Sequence, residues 1–160
     1  MIKIYSIFVT MLFMSSISFA QNLTGTWQQI DDKTGSPKAL IEIKQLNDGS
    51  YVGNITKVTP RQGYTPRETC FKCPEPYTNQ PILGLEVFKG LKQTTPDNYG
   101  HGRVLDPLTG KIYDLKGRIS TNGKRLTLRG YLGISAIGRT QTWIRSNSFL
   151  VSKVGSHSFY

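Results

Sequence analysis

The chain has 160 residues, with 20 Lys and Arg against 10 Asp and Glu and a formal net charge of +10. After removal of a leader this is the length of one domain, which can bury a core without help from disulfides. The basic residues form no dense run, so we expect no nucleic-acid partner. No run beyond the N-terminal one approaches the roughly 20 apolar residues of a transmembrane helix, so we expect none in the mature chain.

The first 20 residues have the pattern of a cleaved secretory signal peptide. Lys3 provides a short positive region, residues 4–17 are apolar, and Ser18-Phe19-Ala20 offers small residues at the cleavage positions. We expect cleavage before Gln21 and export to the periplasm or secretion. The mature chain then keeps 19 basic and 10 acidic residues, a net charge of +9. Lipid headgroups and other anionic envelope components are therefore candidate partners.

Short runs with period-two alternation follow, which is typical of β-strands. They predict eight strands, near residues 24–30, 38–46, 50–59, 82–92, 99–106, 110–120, 123–132 and 138–146. In the fourth run, Leu83, Leu85 and Val87 are predicted to share one face. Turns are predicted between the runs, at Lys33-Thr34-Gly35, Asn47-Asp48-Gly49, Leu108-Thr109-Gly110 and Asn122-Gly123. The Asn-Gly pair predicts a type I′ turn, with a positive φ at both central residues.

Consecutive strands joined by tight turns predict an all-β fold, a single antiparallel up-and-down barrel over residues 21–145. Closure removes the exposed strand edges of an open meander. Four glycines inside strand patterns fit the bends of a small barrel: Gly53, Gly84, Gly117 and Gly130. A β-sandwich is the alternative, and the short hairpins favour the barrel. Residues 146–160 form a serine-rich tail that we expect to be loosely ordered.

One long connection, residues 60–81, carries five of the eight prolines and both cysteines. Loops of this length in compact domains are often lids or binding loops. Pro74 follows Cys73 directly and disfavours the helix at which a thioredoxin-type thiolate is stabilised. We therefore predict a disulfide between Cys70 and Cys73, which export favours. A thiol–disulfide redox role for the pair is the alternative.

Little in the sequence points to catalysis or to a metal. A zinc site normally has four N or S donors, and the two cysteines with His101 fall short of that number. Neither His101 nor His157 has a nucleophile signature nearby, and the ten carboxylates form no paired-acid motif. We therefore predict no catalytic residue, no metal site and no cofactor.

Three stretches resemble a known family: GTWQQIDDKTGSPKALIEI (25–43), PILGLEVFKGLK with GRVLDPLTGKIY (81–92 and 102–113), and LRGYLGISAIGRTQTWIR (128–145). With the CxxC between them, they are similar to small exported bacterial proteins catalogued as domain of unknown function 2147. The resemblance implies a calycin-type β-barrel, similar to lipocalins, and implies little about function.

A second resemblance concerns the closure of the barrel. Gly25-Thr26-Trp27 in the first strand and Arg145 at the end of the last resemble the pair with which lipocalins close their base. The resemblance implies that the Arg145 side chain lies across the Trp27 indole, where cation–π attraction stabilises it. Such a role is structural. The alternative is a core tryptophan and an unrelated surface arginine.

The polar run GRTQTWIR in the last strand holds the candidate ligand contacts. Alternation puts Arg139, Gln141, Trp143 and Arg145 on one face. If that face lines the lumen, the indole can stack on a ligand and the Arg139 guanidinium can pair with a carboxylate or phosphate. Tyr113, on an alternating face of the sixth strand, joins this candidate site. The alternative puts these side chains on the outside of the barrel.

The favoured function is therefore non-enzymatic binding of a small amphipathic or anionic ligand in the lumen, with residues 60–81 as a lid. A basic, envelope-associated interaction protein is one alternative, and a redox protein using Cys70 and Cys73 is the other. The sequence makes no prediction of the oligomeric state.

Overall fold

The computed structural model describes residues 21–60 and 62–146. The predicted signal peptide, residues 1–20, and the tail after residue 146 lie outside the described residues. The eight strands are β1 (Gly25–Ile30), β2 (Pro37–Gln45), β3 (Tyr51–Val58), β4 (Glu86–Gln93), β5 (Asn98–Leu105), β6 (Ile112–Ile119), β7 (Arg125–Tyr131) and β8 (Gly138–Arg145).

Each strand pairs antiparallel with the next in sequence, and β8 returns to β1 to close the barrel. The predicted all-β, up-and-down barrel is confirmed, and the sandwich alternative is excluded. The closing pairing is short: Trp27 pairs with Arg145, Gln28 with Ile144 and Gln29 with Trp143. The part of β8 that precedes Gln141 therefore pairs with β7 alone.

The connectivity divides the loops between two ends of the barrel. We call one end the mouth; it carries the β1–β2, β3–β4, β5–β6 and β7–β8 connections. We call the other end the base; it carries residues 21–24, the remaining connections and Ser146. Within the described part of the chain, no helix has the length and apolar character needed to cross a membrane.

The lumen near the base is filled by large side chains. The rings of Tyr51 and Tyr99 meet edge to face, with centroids 5.7 Å apart. The Tyr99 hydroxyl donates a hydrogen bond to the Gln21 carbonyl, and Trp27 Nε1 donates to the Leu23 carbonyl at 2.8 Å. These bonds pull residues 21–24 across the base, where Leu23 is fully buried.

Gly53 lies at one of the predicted bends, and its lack of a side chain has a direct use. A Cβ at this position would stand 2.2 Å from the Phe88 ring, which covers the glycine from β4. The β3–β4 register shifts on both sides of Gly53. The Phe88 ring also contacts that of Trp143 on β8, with centroids 6.2 Å apart. A glycine on one strand thus makes room for the ring that fills the centre of the barrel.

The four predicted turns are present, and their glycines Gly35, Gly49, Gly110 and Gly123 all have a positive φ. The type I′ prediction for Asn122-Gly123 is wrong, however. Asn79 and His101 are the only described non-glycine residues with a positive φ. Asn122 Oδ1 instead accepts hydrogen bonds from the Lys124 N–H and the Ser120 hydroxyl. Local bonds of this kind favour a wider loop over the two-residue hairpin turn.

The predicted start of the fourth strand is also wrong. β4 begins at Glu86, because Gly84 adopts a φ of 88° in a turn that the Leu85 N–H closes by donating to the Ile82 carbonyl. Leu83 is therefore exposed at this turn, while Leu85 and Val87 are buried. Gly84 bends the chain before the strand and not inside it. The prediction extended the strand into the turn because Leu83 is apolar and fits the alternation, although its side chain is exposed.

Candidate functional site: a cavity in the barrel lumen

The half of the lumen towards the mouth holds a cavity of about 580 Å³. This volume lies within the roughly 300–1,000 Å³ of small-molecule sites. Its walls are mainly apolar and receive residues from all eight strands, among them Ile41, Ile55, Val87, Leu115 and Leu128. Trp143 lines the cavity and Phe88 does not, so their ring contact marks the boundary between the open and the filled parts of the lumen.

The four predicted ligand contacts all line this one cavity. Arg139, Gln141 and Trp143 follow each other along the inward face of β8, and Tyr113 faces them from β6. Their order along β8 runs from the buried indole through the amide to the guanidinium at the mouth. The structure brings the predicted residues together, and their contact with a ligand stays a prediction.

A pair of amides provides the most interior polar group of the cavity. Gln141 Oε1 accepts hydrogen bonds from Gln29 Nε2 at 2.7 Å and from Trp143 Nε1 at 3.3 Å. Among the described residues, Gln141 Nε2 and Gln29 Oε1 have no protein partner, so the pair offers one donor and one acceptor group to the cavity. Sequence analysis missed Gln29, although its alternation with the buried Trp27 could have placed it inside the barrel.

Several charged side chains lie at the mouth of the cavity. Three cations line it, Lys38, Arg67 and Arg139, with one carboxylate, Asp106. That carboxylate accepts hydrogen bonds within its own turn, from the Leu108 N–H at 3.0 Å and the Thr109 hydroxyl at 2.8 Å. These hydrogen bonds leave the charge of Asp106 in place, and Lys38 and Arg139 are themselves paired with Asp31 and Asp32, so the charges at the mouth are close to balance.

Arg139 is the cation best placed to change partners. It forms an ion pair with Asp32 at 3.3 Å, and its side chain is largely exposed. Exposed pairs of this kind contribute little free energy, because both charges keep much of their hydration. An anionic group that enters the cavity can therefore replace Asp32 at small cost. Lys38 is more enclosed and pairs with Asp31 at 3.7 Å.

The long connection, predicted as a lid over residues 60–81, folds back on itself. Cys70 and Cys73 form a disulfide, and both residues are buried. The Cys70 N–H donates to the Gln80 carbonyl at 2.9 Å, and the Ile82 N–H donates to the Glu68 carbonyl at 2.8 Å. These bonds turn the connection into a small closed unit around the disulfide.

This unit docks on the β5–β6 connection. The Cys70 sulfur lies 3.8 Å from the Pro107 carbonyl oxygen, and Arg67 Nη1 donates to the Leu108 carbonyl at 3.2 Å. Tyr64 and Arg67 also reach the cavity. The connection thus forms part of the wall of the mouth.

Arg145 closes the base. Its guanidinium carbon lies 4.3 Å from the centroid of the Trp27 ring. It donates hydrogen bonds to the carbonyls of Gly123, Thr24 and Asn22, at 2.8, 2.8 and 2.7 Å. Partial burial lowers the pKa of Arg145 from its ordinary value. The predicted pair therefore lies at the end of the barrel away from the cavity.

Gly25 belongs to the same closure. Its φ of 126° lies in a region that side chains rarely adopt, and a Cβ there would stand 3.2 Å from Arg145 Nη1. The position therefore suits glycine in both conformation and space.

Of the two histidines considered from the sequence, His157 lies outside the described residues and His101 does not line the cavity. His101 is exposed on β5, where the register with β6 shifts. Across residues 21–60 and 62–146, no group of three or more His, Cys, Asp or Glu side chains is arranged to hold a metal ion.

Comparison with known proteins gives matches of two different kinds. A profile of the family described as "Uncharacterized protein conserved in bacteria (DUF2147)" matches residues 25–145, the whole barrel. No curated protein matches the chain in sequence. Among solved structures, protein HP1028 from the human pathogen Helicobacter pylori, which is described as belonging to the lipocalin family, has a similar fold. The TM-score is 0.69 at 19% identity, over 87% of this chain and 92% of that one.

Proposed function

The chain belongs to the bacterial family DUF2147 and has a lipocalin-like barrel, and from this we propose that it is a non-enzymatic binding protein. Its ligand is a small amphipathic molecule with an anionic head, held in the lumen. The observation that carries the proposal is the cavity of about 580 Å³, which combines apolar walls with a few convergent polar groups. Binding sites for small molecules have this composition.

The inward face of β8 supports one orientation of the ligand. Side chains two residues apart on a strand are separated by roughly 6.5–7 Å, so Trp143 and Arg139 stand roughly 13 Å apart along it. The apolar body packs beside Trp143 and the head lies at Arg139, with the Gln29–Gln141 amides between them. A rigid arrangement of this kind selects ligands whose polar group lies at the right distance from the apolar end.

The proposal includes the cell compartment. The signal-like residues 1–20 support export, and they predict a mature N-terminus at Gln21. N-terminal sequencing of the protein recovered from separated periplasmic and culture fractions tests this. A protein that stays in the cytoplasmic fraction with Met1 intact contradicts it.

Two fluorescent probes test the binding function, since they differ by a single anionic group. Anilinonaphthalene sulfonate carries the sulfonate, and N-phenylnaphthylamine is its uncharged counterpart. We expect both to bind in the lumen. Arg139→Gln should weaken the sulfonate by about tenfold, the value of one lost charge-assisted hydrogen bond, and leave the uncharged probe unchanged. Equal losses for both probes contradict the proposed head-group site.

The two tryptophans report the position of the probe. Trp143 lines the cavity, whereas Trp27 is buried at the base. The affinity for both probes should therefore fall in Trp143→Phe and stay unchanged in Trp27→Phe. The opposite pattern, or saturation at several probes per chain with no dependence on Trp143, places the probe outside the lumen and overturns the proposal. Native mass spectrometry of protein from its own host then identifies the natural ligand.

A further inference from the structure

The mouth of the barrel exposes several large apolar side chains to solvent. Seven such residues are exposed in the described part of the chain, and six of them lie in the connections at the mouth. Leu83 lies at the Gly84 turn next to β4. We call the other five the apolar collar: Phe71, Leu108, Leu132, Ile134 and Ile137. Ile137 is 70% exposed and Ile134 is 64% exposed. We propose that the apolar collar docks the mouth of the barrel on a lipid membrane surface.

The apolar collar adjoins the cavity. Three of its five members, Leu108, Leu132 and Ile137, both line the cavity and are exposed to solvent. Arg67 connects Leu108 with Phe71. It donates a hydrogen bond to the Leu108 carbonyl, and its guanidinium carbon lies 4.6 Å from the centroid of the Phe71 ring.

The β7–β8 loop is built to keep its apolar tip ordered. Residues 132–137, LGISAI, contain no charged or amide side chain. Arg129 holds the loop from behind, with hydrogen bonds to the carbonyls of Ser135 at 2.7 Å and Ala136 at 2.9 Å. Its third bond, to the Thr140 hydroxyl at 2.8 Å, fixes the guanidinium against β8. Ordered isoleucines directed into water cost free energy, which burial in another medium recovers.

Cations flank the aromatic member of the apolar collar. Phe71 is 52% exposed, and Arg67 and Lys72 lie on its ring, with Lys72 Nζ 5.9 Å from the centroid. An aromatic ring with basic neighbours is suited to the boundary between headgroups and acyl chains, because the ring enters the apolar layer while the cations reach the anionic headgroups.

The form of the surface favours a membrane over a protein partner. Five half-exposed side chains offer on the order of 500 Å², which is typical of the largest apolar patch on a monomer. They stand on loop tips around an opening, so a bilayer can receive all of them at once. A bilayer also supplies amphipathic molecules directly at the opening of the cavity. Docking does not depend on which molecule the lumen binds.

Flotation with lipid vesicles tests the proposal. Phe71 and Ile134 do not line the cavity, so Phe71→Ser with Ile134→Ser alters the apolar collar alone. Leu46→Ser is the matched control, because Leu46 is 48% exposed in the β2–β3 connection at the base. We expect the wild type to float with vesicles that contain phosphatidylglycerol, and the double variant to lose at least about tenfold in partitioning. Leu46→Ser should match the wild type.

Three outcomes overturn the proposal. The wild type does not float with any vesicle, the double variant floats as well as the wild type, or Leu46→Ser loses as much as the double variant. Sedimentation without lipid provides a further outcome: a dimer that the double variant dissociates identifies a second copy of the chain as the partner instead. Titration of each variant with N-phenylnaphthylamine tests the lumen function separately from membrane docking. A variant that no longer binds vesicles but still binds the probe has lost docking and kept the lumen function.

Discussion

The carbonyl oxygen of Lys72 fills the space beside Gly110 into which a side chain would project. A Cβ on Gly110 would stand 1.9 Å from that oxygen. The disulfide unit of the long connection therefore fits against the β5–β6 turn only because residue 110 is glycine. Because Gly110 carries a hydrogen atom in place of a side chain, the disulfide unit can pack closely against the β5–β6 turn.

Gly110→Ala should separate the disulfide unit from the β5–β6 turn, and Gly35→Ala is its matched control. Both glycines donate to the carbonyl four residues earlier at 2.8 Å, and their φ values are 75° and 68°. Gly35 has no atom within 4 Å of a Cβ. Each substitution should cost about 1 kcal/mol of unfolding free energy through backbone strain, and Gly110→Ala at least about 1 kcal/mol more through the clash.

Urea unfolding measures both variants, and hydrogen exchange at the Cys70 and Asn79 amides reports local loosening in Gly110→Ala. Equal costs for the two substitutions would show that the Lys72 contact does not contribute.

The buried disulfide should resist reduction in the folded protein. Both Cys70 and Cys73 are shielded from solvent, and thiol attack requires access to a sulfur. Maleimide labelling after dithiothreitol treatment should therefore be at least about tenfold slower in native protein than in protein unfolded by urea. Labelling at the same rate in both conditions would instead favour an exposed, redox-active pair.

Arg145 should contribute more to stability than an ordinary surface arginine. Its guanidinium donates to three backbone carbonyls and covers the Trp27 ring, so Arg145→Ala should lower the unfolding free energy by about 2–4 kcal/mol. Arg145→Lys should recover only part of this loss, because one ammonium group cannot reach all three acceptors. Arg103→Ala, which removes an exposed pair to Asp114 at 3.6 Å, should cost less than about 1 kcal/mol.

Chemical denaturation of the Arg145 and Arg103 variants checks this ranking. A similar loss of unfolding free energy at Arg103 and Arg145 would show that the base closure contributes no more than an exposed ion pair.

Tyr99 should make stability depend on pH in the alkaline range. Burial, with the neighbouring Tyr51 as the next cause, raises the pKa of Tyr99 to about 12. The ordinary tyrosine value is 10.0, so the unfolded chain releases this proton first as pH rises. The stabilisation is thus fully present below about pH 10 and is lost between about pH 10 and 12, with a slope of at most about 1.4 kcal/mol per pH unit.

Tyr99→Phe should flatten this part of the stability curve, and Tyr113→Phe, the same change beside the cavity, serves as the comparison. Unfolding free energies measured at intervals from pH 8 to 12 test the difference. An unchanged slope in Tyr99→Phe would assign the alkaline loss to other groups.

The regular part of the barrel was readable from the sequence because its determinants are local. Leu126 and Leu128 alternate with polar residues, and Gly35 and Gly49 mark the turns, so pattern and turn chemistry agree on the same strands. The face of β8 with Trp143 looks inward because its large indole is buried against the Phe88 ring.

The contacts of the mouth were not readable, because they join residues far apart in the chain. The fit of Lys72 against Gly110 and the amide pair of Gln29 with Gln141 depend on the three-dimensional path of loops and strands. Leu83 shows the opposite error, since its local pattern indicated a strand and the Gly84 turn exposed it. A local sequence pattern predicts whether a side chain points into or out of the barrel. It does not predict which residue from a distant part of the chain that side chain contacts.

The short β1–β8 pairing also has a mechanical consequence. The described chain enters and leaves the barrel at the base, where the Ser146 N–H donates to the Thr26 carbonyl at 2.8 Å. Because β1 and β8 are antiparallel and their free ends lie together, a force that pulls these ends apart loads their three residue pairs one after another, as in a zipper. The barrel should therefore yield to tension applied at its ends far more easily than its thermal stability indicates.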